Sequence, residues 1–163
     1  MTESDDWIQD RARNNLFSYV RYCNPNYIPS KFNRWLAKKL QEVALGKNKR
    51  LIINTPPRMG KTRLIAIETP TWLFGKHPDK KIVLASYGQD LSLTSSKEAR
   101  DRMESEEYKE LFPTRLKAGA SAANAWNTDG NGTYKAVGTG SALTGHGADL
   151  LLVDDVVRDF ADA

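Results

Sequence analysis

Residues 51–62 read LIINTPPRMGKT, and this stretch decides how the rest of the chain is interpreted. A short apolar run leads into two prolines and a turn that closes on Gly60, Lys61 and Thr62. The order is similar to the pattern G-x-x-x-x-G-K-[ST], in which a loop between a strand and a helix holds phosphate groups. Thr55 stands where that pattern has its first glycine, but the last three residues are intact. We therefore predict a phosphate-binding loop at this position.

Each part of this loop has a physical reason to bind phosphate. Gly60 lets the backbone approach an anion without a Cβ in the way, and N–H groups from about Met59 to Thr62 can point at β- and γ-phosphate oxygens. Lys61 supplies a point charge and the Thr62 hydroxyl a ligand for Mg²⁺, while Pro56-Pro57 stiffens the approach. The predicted site for ATP consists of Thr55, Pro56, Pro57, Arg58, Met59, Gly60, Lys61 and Thr62.

A second apolar run, LLLVDD at 150–155, ends in two acids. In nucleotide hydrolases with such a loop, the first acid holds Mg²⁺ and the second orients the attacking water. We therefore expect Asp154 to bind Mg²⁺ and Asp155 to be the catalytic carboxylate. The alternative is a buried strand whose acids cap the following element.

Apolar runs that alternate with helical patterns indicate the fold class. We predict an α/β protein of the P-loop NTPase type, with an open, mostly parallel sheet flanked by helices. The predicted strands are 50–54, 81–86, a short strand around 134–137 and the acidic run, and the predicted helices near them are 63–72 and 91–103.

The preceding part of the chain reads as helical. We predict a first helix over 5–22, with core positions Trp7, Ile8, Leu16, Phe17 and Val20. A second helix is expected from an N-cap at Ser30 to near Gly46, with apolar positions Phe32, Trp35, Leu36, Leu40 and Val43. Its aromatic residues either pack in the core or, with Tyr27 and Gln41, contact an adenine base. This gives two units: a helical segment at 1–49 and an ATPase core at 50–163.

Composition and charge limit the classes of function that the chain can have. The chain is 40% hydrophobic and 27% charged, which is typical of a globular protein, and no run approaches the roughly 18 apolar residues of a membrane span. The first ten residues, MTESDDWIQD, are acidic where a signal peptide is basic, so we expect a cytoplasmic protein. Cations cluster over 31–50 with only Glu42 against them. This cluster is either a footprint for nucleic acid or a solvated helix face.

Several segments in order resemble one known family. The chain is similar to the N-terminal ATPase portion of a tailed-phage terminase large subunit, the motor that packages viral DNA. The resemblance is carried by RLIINTPPRMGKT, LASYGQDLSLTSSKEARDRM, YKELFP and GTGSALTGHGADLLLVDD. It runs from about Tyr27 to Ala163.

The resemblance implies a role for each site residue. It places Lys61 on the β- and γ-phosphates, Thr62 and Asp154 on Mg²⁺, and Asp155 on the attacking water, a role that many such motors give to glutamate. It also places Arg58 where an arginine reaches the γ-phosphate in cis. The alternative for Arg58 is a surface side chain at the tip of a loop.

Two departures from the family pattern concern the γ-phosphate. Met59 and His146 stand where relatives often have His and Arg, so position 146 is not expected to sense that phosphate. The family fold also has a later strand beside the acidic strand, followed by a nuclease domain. We therefore expect the ATPase core to be truncated after the acidic strand, and the isolated chain to fold poorly or to bind nucleotide weakly.

The implied function is ATP hydrolysis with Mg²⁺ that drives double-stranded viral DNA into a procapsid. The implied partners are a portal protein and a small terminase subunit, with a ring of identical subunits in the host cytoplasm and no membrane. Two alternatives remain at this point. One is a helicase-like ATPase that remodels nucleic acid, and the other is a truncated, non-enzymatic nucleotide-binding remnant.

Overall fold

A computed structural model describes residues 3–119, 122–138 and 147–155, with side chains from residue 6 onward. Helices dominate the first 111 residues, and three of the four strands follow them. The described elements are α1 (Glu3–Asn14), α2 (Leu16–Cys23), α3 (Lys31–Ala44), a π-helical segment (Arg63–Glu68), α4 (Thr69–Lys76), β1 (Lys81–Ser86), α5 (Gln89–Glu104), α6 (Glu106–Leu111), β2 (Ala125–Asn127), β3 (Thr133–Gly138) and β4 (Leu150–Asp154).

The four strands form one open sheet in the order β2-β3-β1-β4. Strand β1 is parallel to both β3 and β4, whereas β2 is antiparallel to β3. Ser86 lies opposite Gly138 on one side and Asp154 on the other, so the three parallel strands end at the same edge. The chain is therefore an α/β protein with a small mixed sheet, and two of its three pairings are parallel as predicted.

The predicted strand at 50–54 is wrong. Residues 51–56 belong to no helix or strand, and the Ile52 side chain is 89% exposed. A strand forms only where a neighbour can accept its backbone hydrogen bonds. Both edges of β1 are already taken by β3 and β4. The apolar run gave no information about whether a partner strand was present.

The first predicted helix is two helices. Asn15 separates α1 from α2, and its Oδ1 accepts the Ser18 N–H at 2.9 Å as an N-cap. The prediction of Trp7 and Ile8 as core residues is wrong, because these side chains of α1 are 61% and 46% exposed. Leu16 and Val20 of α2 are buried as predicted.

The helix α3 begins as the sequence indicates. The Asn33 N–H donates to Ser30 Oγ at 3.0 Å, which confirms Ser30 as the N-cap. Leu36 and Leu40 are buried, but Trp35 is 49% exposed and is not a core residue. No described helix has the length and apolarity that a membrane span requires.

The helical segment, the π segment and one sheet face share a single apolar core. The Trp72 indole N–H donates to the Arg13 carbonyl at 3.2 Å, which joins α4 to α1. The Tyr134 hydroxyl donates to the Ala66 carbonyl at 2.8 Å, which joins β3 to the π segment. Trp126 and Tyr134 stack with their ring centroids 4.9 Å apart. The bond from Tyr134 therefore holds the helix that follows the predicted phosphate loop against the sheet.

Candidate functional site

The predicted phosphate loop is an exposed turn with an unusual backbone. Arg58 has φ +63° and Gly60 has φ +77°, and both lie in the left-handed region. For a non-glycine residue such as Arg58 this conformation costs about 1–2 kcal/mol, and strain of this kind concentrates at functional sites. Left-handed residues within a turn curl successive N–H groups inward into a concave anion-binding nest. A Cβ built on Gly60 would meet nothing within 4 Å, so the space above this turn is open.

A helix starts directly after the turn. The chain is helical from residue 61 to residue 76, and the Leu64 N–H donates to the Gly60 carbonyl at 3.3 Å. The N–H groups of Lys61, Thr62 and Arg63 precede this bond and belong to the helix end whose donors have no intrahelical acceptor. The positive end of the helix dipole lies at the same place. Both features favour an anion at the turn.

The loop and the acidic strand meet in space. Lys61 Nζ donates a hydrogen bond to Asp155 Oδ1 and lies 3.8 Å from Asp154 Oδ1. The two motifs are 94 residues apart in sequence. The structure therefore brings together Lys61, Asp154 and Asp155, which were predicted separately from the two motifs.

The two acids have different surroundings. Asp154 is the last residue of β4 and its side chain is 8% exposed, whereas the Asp155 side chain is 63% exposed. Asp155 has φ +46°, and its carbonyl accepts the Tyr87 N–H at 3.1 Å. One carboxylate is thus fixed in a buried position, and its neighbour projects into solvent where Lys61 holds it.

The donors and acceptors at this edge suit two ligands at once. The turn, the helix start and the Lys61 ammonium suit phosphate oxygens, and carboxylate and hydroxyl oxygens are what Mg²⁺ prefers. Thr62 is exposed at the start of the helix, and Arg58 is exposed at the tip of the turn. Among the described residues Arg58 forms no ion pair. Position 146, named above for the γ-phosphate, lies outside the described residues.

The residues suggested for adenine contacts are not brought to the loop as a group. The Gln41 side-chain oxygen accepts the Leu16 N–H at 2.8 Å, and its amide donates to the Asn14 carbonyl at 3.3 Å. Gln41 therefore joins α3 to the start of α2. Trp35 lines a groove beside α3, together with Gln41 and Arg34.

A buried charge network behind the loop was not predicted. Glu68 is completely buried, and its Oε1 accepts from Arg63 Nε at 3.1 Å and Asn24 Nδ2 at 3.0 Å. Arg102 of α5 approaches the same oxygen at 3.4 Å and also bonds Asn24. This network ties the helix after the loop to α2 and α5. The one available signal was a charged residue at the end of the apolar run LIAIE.

The single cysteine lies next to this network. Cys23 is 5% exposed, and burial raises the pKa of its thiol to about 12. A thiol held protonated in this way is a poor nucleophile and a poor metal ligand. Cys23 is therefore a core residue.

Comparison with known proteins identifies one family. A family model described as the N-terminal part of the terminase large subunit, T4-like-virus type, matches residues 52–163. No curated protein and no solved structure matches the chain. The match covers more than half of the chain and includes both the loop and the acidic strand. The chain belongs to the terminase large subunit family, which confirms the resemblance and gives it a role in phage DNA packaging.

Proposed function

We propose that this chain hydrolyses ATP with Mg²⁺ and that hydrolysis drives translocation of double-stranded viral DNA into a procapsid. The observation that carries the proposal is the meeting of Lys61 with Asp154 and Asp155 at the end of the parallel strands. Ligands of open α/β sheets bind at this edge, beyond the carboxyl ends of the strands. The family's role in phage DNA packaging supplies the task for which the energy is used.

The mechanism follows from the groups around the turn. Lys61 and the N–H groups from Met59 to Thr62 would bind the β- and γ-phosphates, and Asp154 with the Thr62 hydroxyl would hold Mg²⁺. The metal neutralises charge on the phosphate oxygens when it is bound. Asp155 accepts a hydrogen bond from the attacking water and orients it.

The bond change is an in-line displacement at the γ-phosphorus. The water oxygen forms the new bond to phosphorus and passes a proton to a phosphate oxygen, the bond to the bridging oxygen breaks, and ADP and inorganic phosphate leave. Negative charge spreads over the transferred oxygens during this step. Arg58, at the exposed tip of the turn, neutralises part of that charge in cis.

A negative phosphate also competes with Asp155 for the Lys61 ammonium. When Lys61 turns to the phosphate, Asp155 loses its hydrogen bond and becomes free to bind water. Binding of the phosphate by Lys61 and activation of the attacking water by Asp155 are thereby linked. This step uses only the mobility of two side chains at the protein surface, of which Asp155 is the more exposed.

The domain organisation, oligomeric state and partners that we propose are those that the terminase family implies. Residues 1–49 form a helical segment ahead of an ATPase core of the P-loop type at 50–163, and the chain works in the host cytoplasm as a ring. The ring acts with a portal protein and a small terminase subunit on double-stranded DNA.

A non-enzymatic nucleotide-binding protein is the second candidate. One observation favours it: β4 lies at a sheet edge, and its Leu151 and Val153 side chains are 56% and 52% exposed. Among the described residues no strand pairs with the outer side of β4. An acidic strand with a free edge holds Asp154 and Asp155 less firmly than a central one does.

Phosphate release decides between the two candidates. The chain is compared with Lys61→Ala and with the control Lys97→Ala, which removes an exposed lysine from α5, at saturating ATP and Mg²⁺. We expect Lys61→Ala to lose most of the rate and Lys97→Ala to keep it. If calorimetry shows ATP binding but no variant differs in phosphate release, the protein binds nucleotide without being an enzyme.

A further inference from the structure

A concave, basic groove lies on the helical segment, apart from the phosphate loop. It has a volume of about 570 Å³, and its lining includes residues from the end of α1, the start of α2 and the length of α3. Its cations are Arg11, Lys31, Arg34, Lys38 and Lys47. Its one carboxylate is Glu42, which is already paired with Lys39 at 2.9 Å. The groove therefore presents a strong excess of positive charge.

Exposed aromatic rings accompany these cations. Trp35 is 49% exposed in the groove, and Phe32 lies beside it with the ring centroids 6.1 Å apart. Trp7 is 61% exposed beneath the Arg11 guanidinium, which lies 5.2 Å from the centroid of its ring. Tryptophan is highly buried on average in folded proteins. Trp7 does not line the groove but contacts Arg11, which does. The exposed Trp35 among the groove cations indicates a ligand that has both anionic groups and flat apolar faces.

The groove is also preformed. Gln41 accepts the Leu16 N–H at 2.8 Å and so fixes the start of α2 against α3. The Arg34 guanidinium lies 5.1 Å from the Phe17 ring centroid, which holds this cation in the groove by a cation–π contact. A ligand therefore meets side chains that have already lost part of their conformational freedom, which lowers the entropic cost of binding.

The cations on α3 follow one face of the helix. Lys31, Arg34 and Lys38 are separated by three and four residues, the spacing that brings side chains to the same side. At about 1.5 Å per residue they extend over roughly 10 Å. A row of this length matches a short stretch of phosphodiester backbone, whose charges recur along the strand. Trp35 lies within the same row.

We propose that this groove binds single-stranded nucleic acid, with Lys31, Arg34 and Lys38 on successive phosphates and a base stacked on Trp35. Cationic grooves with exposed aromatic rings hold single strands in this way, because every base has a face on which it can stack. In a duplex those faces are covered by neighbouring base pairs, so Trp35 has nothing to stack on.

This site is separate from ATP hydrolysis. None of the loop residues 55–62 lines the groove. The single-strand site extends the proposed role in DNA packaging without depending on the ATPase. Its test uses no nucleotide triphosphate, so either proposal can fail while the other stands.

The test is fluorescence anisotropy of the 163-residue chain with a labelled single strand of about 20 nucleotides, long enough for one such site, and with a hairpin duplex of the same sequence. Two double variants with equal charge change are compared. Lys31→Glu/Lys38→Glu reverses two groove cations, and Lys97→Glu/Lys117→Glu reverses two exposed lysines outside the groove. Trp35→Ala removes the stacking ring without a charge change, and Trp35→Tyr restores an aromatic face.

We expect the single strand to bind more tightly than the duplex. The groove reversal should reduce the slope of log affinity against log salt by about 1.4, because each lost phosphate contact contributes about 0.7, whereas the control reversal should change it less. Trp35→Ala should weaken single-strand binding roughly five- to 150-fold, with most of the affinity restored in Trp35→Tyr. Equal binding of the duplex, equal effects of the two reversals, or no effect of Trp35→Ala in a variant with unchanged circular dichroism would each overturn the proposal.

Discussion

Lys61 donates a hydrogen bond to the exposed carboxylate of Asp155 and keeps its ammonium 3.8 Å from the buried carboxylate of Asp154. One ammonium group thus attracts two carboxylates that differ in their exposure to solvent. The attraction to the buried acid is less screened by water than the attraction to the exposed one. We therefore expect Lys61 to release Asp155 first if a phosphate competes for it, and the two acids to behave differently on substitution.

Replacing each acid by its amide separates their roles. Asp155→Asn should lower phosphate release by about 10²- to 10⁴-fold, as expected for loss of a group that accepts a proton or orients water, while ATP binding remains. Asp154→Asn should raise the Mg²⁺ concentration needed for half-maximal ATP binding roughly tenfold or more, since a charged oxygen ligand is lost. Calorimetry and a phosphate assay measure both. Identical defects in the two variants would contradict the assignment of separate roles.

Gly60→Ala tests the turn. Its φ of +77° is costly for an alanine although a Cβ has open space there, so we expect a loss of about 1–2 kcal/mol in the free energy of unfolding and much weaker ATP binding. Gly88→Ala is the matched control, because Gly88 has φ −102° and a Cβ there also meets nothing within 4 Å. Urea unfolding measures the stability of both. A Gly60→Ala variant as stable as Gly88→Ala would show that the turn is not held in this conformation.

Removal of Glu68 from the buried charge network should lower the free energy of unfolding strongly. Glu68→Ala leaves Arg102, whose side chain is 10% exposed, without its carboxylate partner, and such a loss costs about 3–5 kcal/mol. Glu104→Ala, at an exposed position on α5, should change the free energy of unfolding by less than about 0.5 kcal/mol. Chemical denaturation of both variants checks this. A small effect of Glu68→Ala would mean that water replaces the missing carboxylate.

The elements that follow local patterns could be predicted from the sequence. The strand β1 has the bounds predicted from KIVLAS, and α3 begins at the N-cap read from Ser30. Both depend on the residues within the element. The approach of Lys61 to Asp154 and Asp155 agrees with the joint interpretation of the two motifs, although the strand predicted before Lys61 does not form and only Asp154 ends a strand of the sheet.

Features that depend on distant partners could not be predicted. Ile52 lies in an apolar run that pairs with no described strand, and Trp7 lies at helical spacing on α1 but is exposed to solvent. Glu68 shows no motif, since its partners Asn24 and Arg102 are 44 and 34 residues away. Trp35 is apolar and at helical spacing, yet it lines the basic groove. In each case the neighbours in space, which periodicity does not reveal, decide the outcome.

Asp149 gives the fold a dependence on acid pH. Its carboxylate accepts the Lys81 N–H at 2.8 Å and lies 3.2 Å from Lys80 Nζ, so it joins the starts of β1 and β4. The backbone hydrogen bond from Lys81, followed by the charge of Lys80, holds the pKa of Asp149 below its usual value of 3.8. A pKa that is lower in the folded than in the unfolded state stabilises the protein above the unfolded value, and this contribution is lost as pH falls through the folded one.

The variant Asp149→Asn should therefore unfold more easily than the parent at pH 7. The difference should be roughly 1 kcal/mol, small because the pair is partly exposed. It should shrink as pH falls below about 4, where the parent carboxylate also becomes protonated. Asp79→Asn is the control, because it removes a carboxylate in the turn before β1 that has no ion-pair partner among the described residues. Urea unfolding at several pH values measures both variants. If the difference between parent and Asp149→Asn stays constant down to pH values well below 4, the side chain acts through its shape and not through its charge.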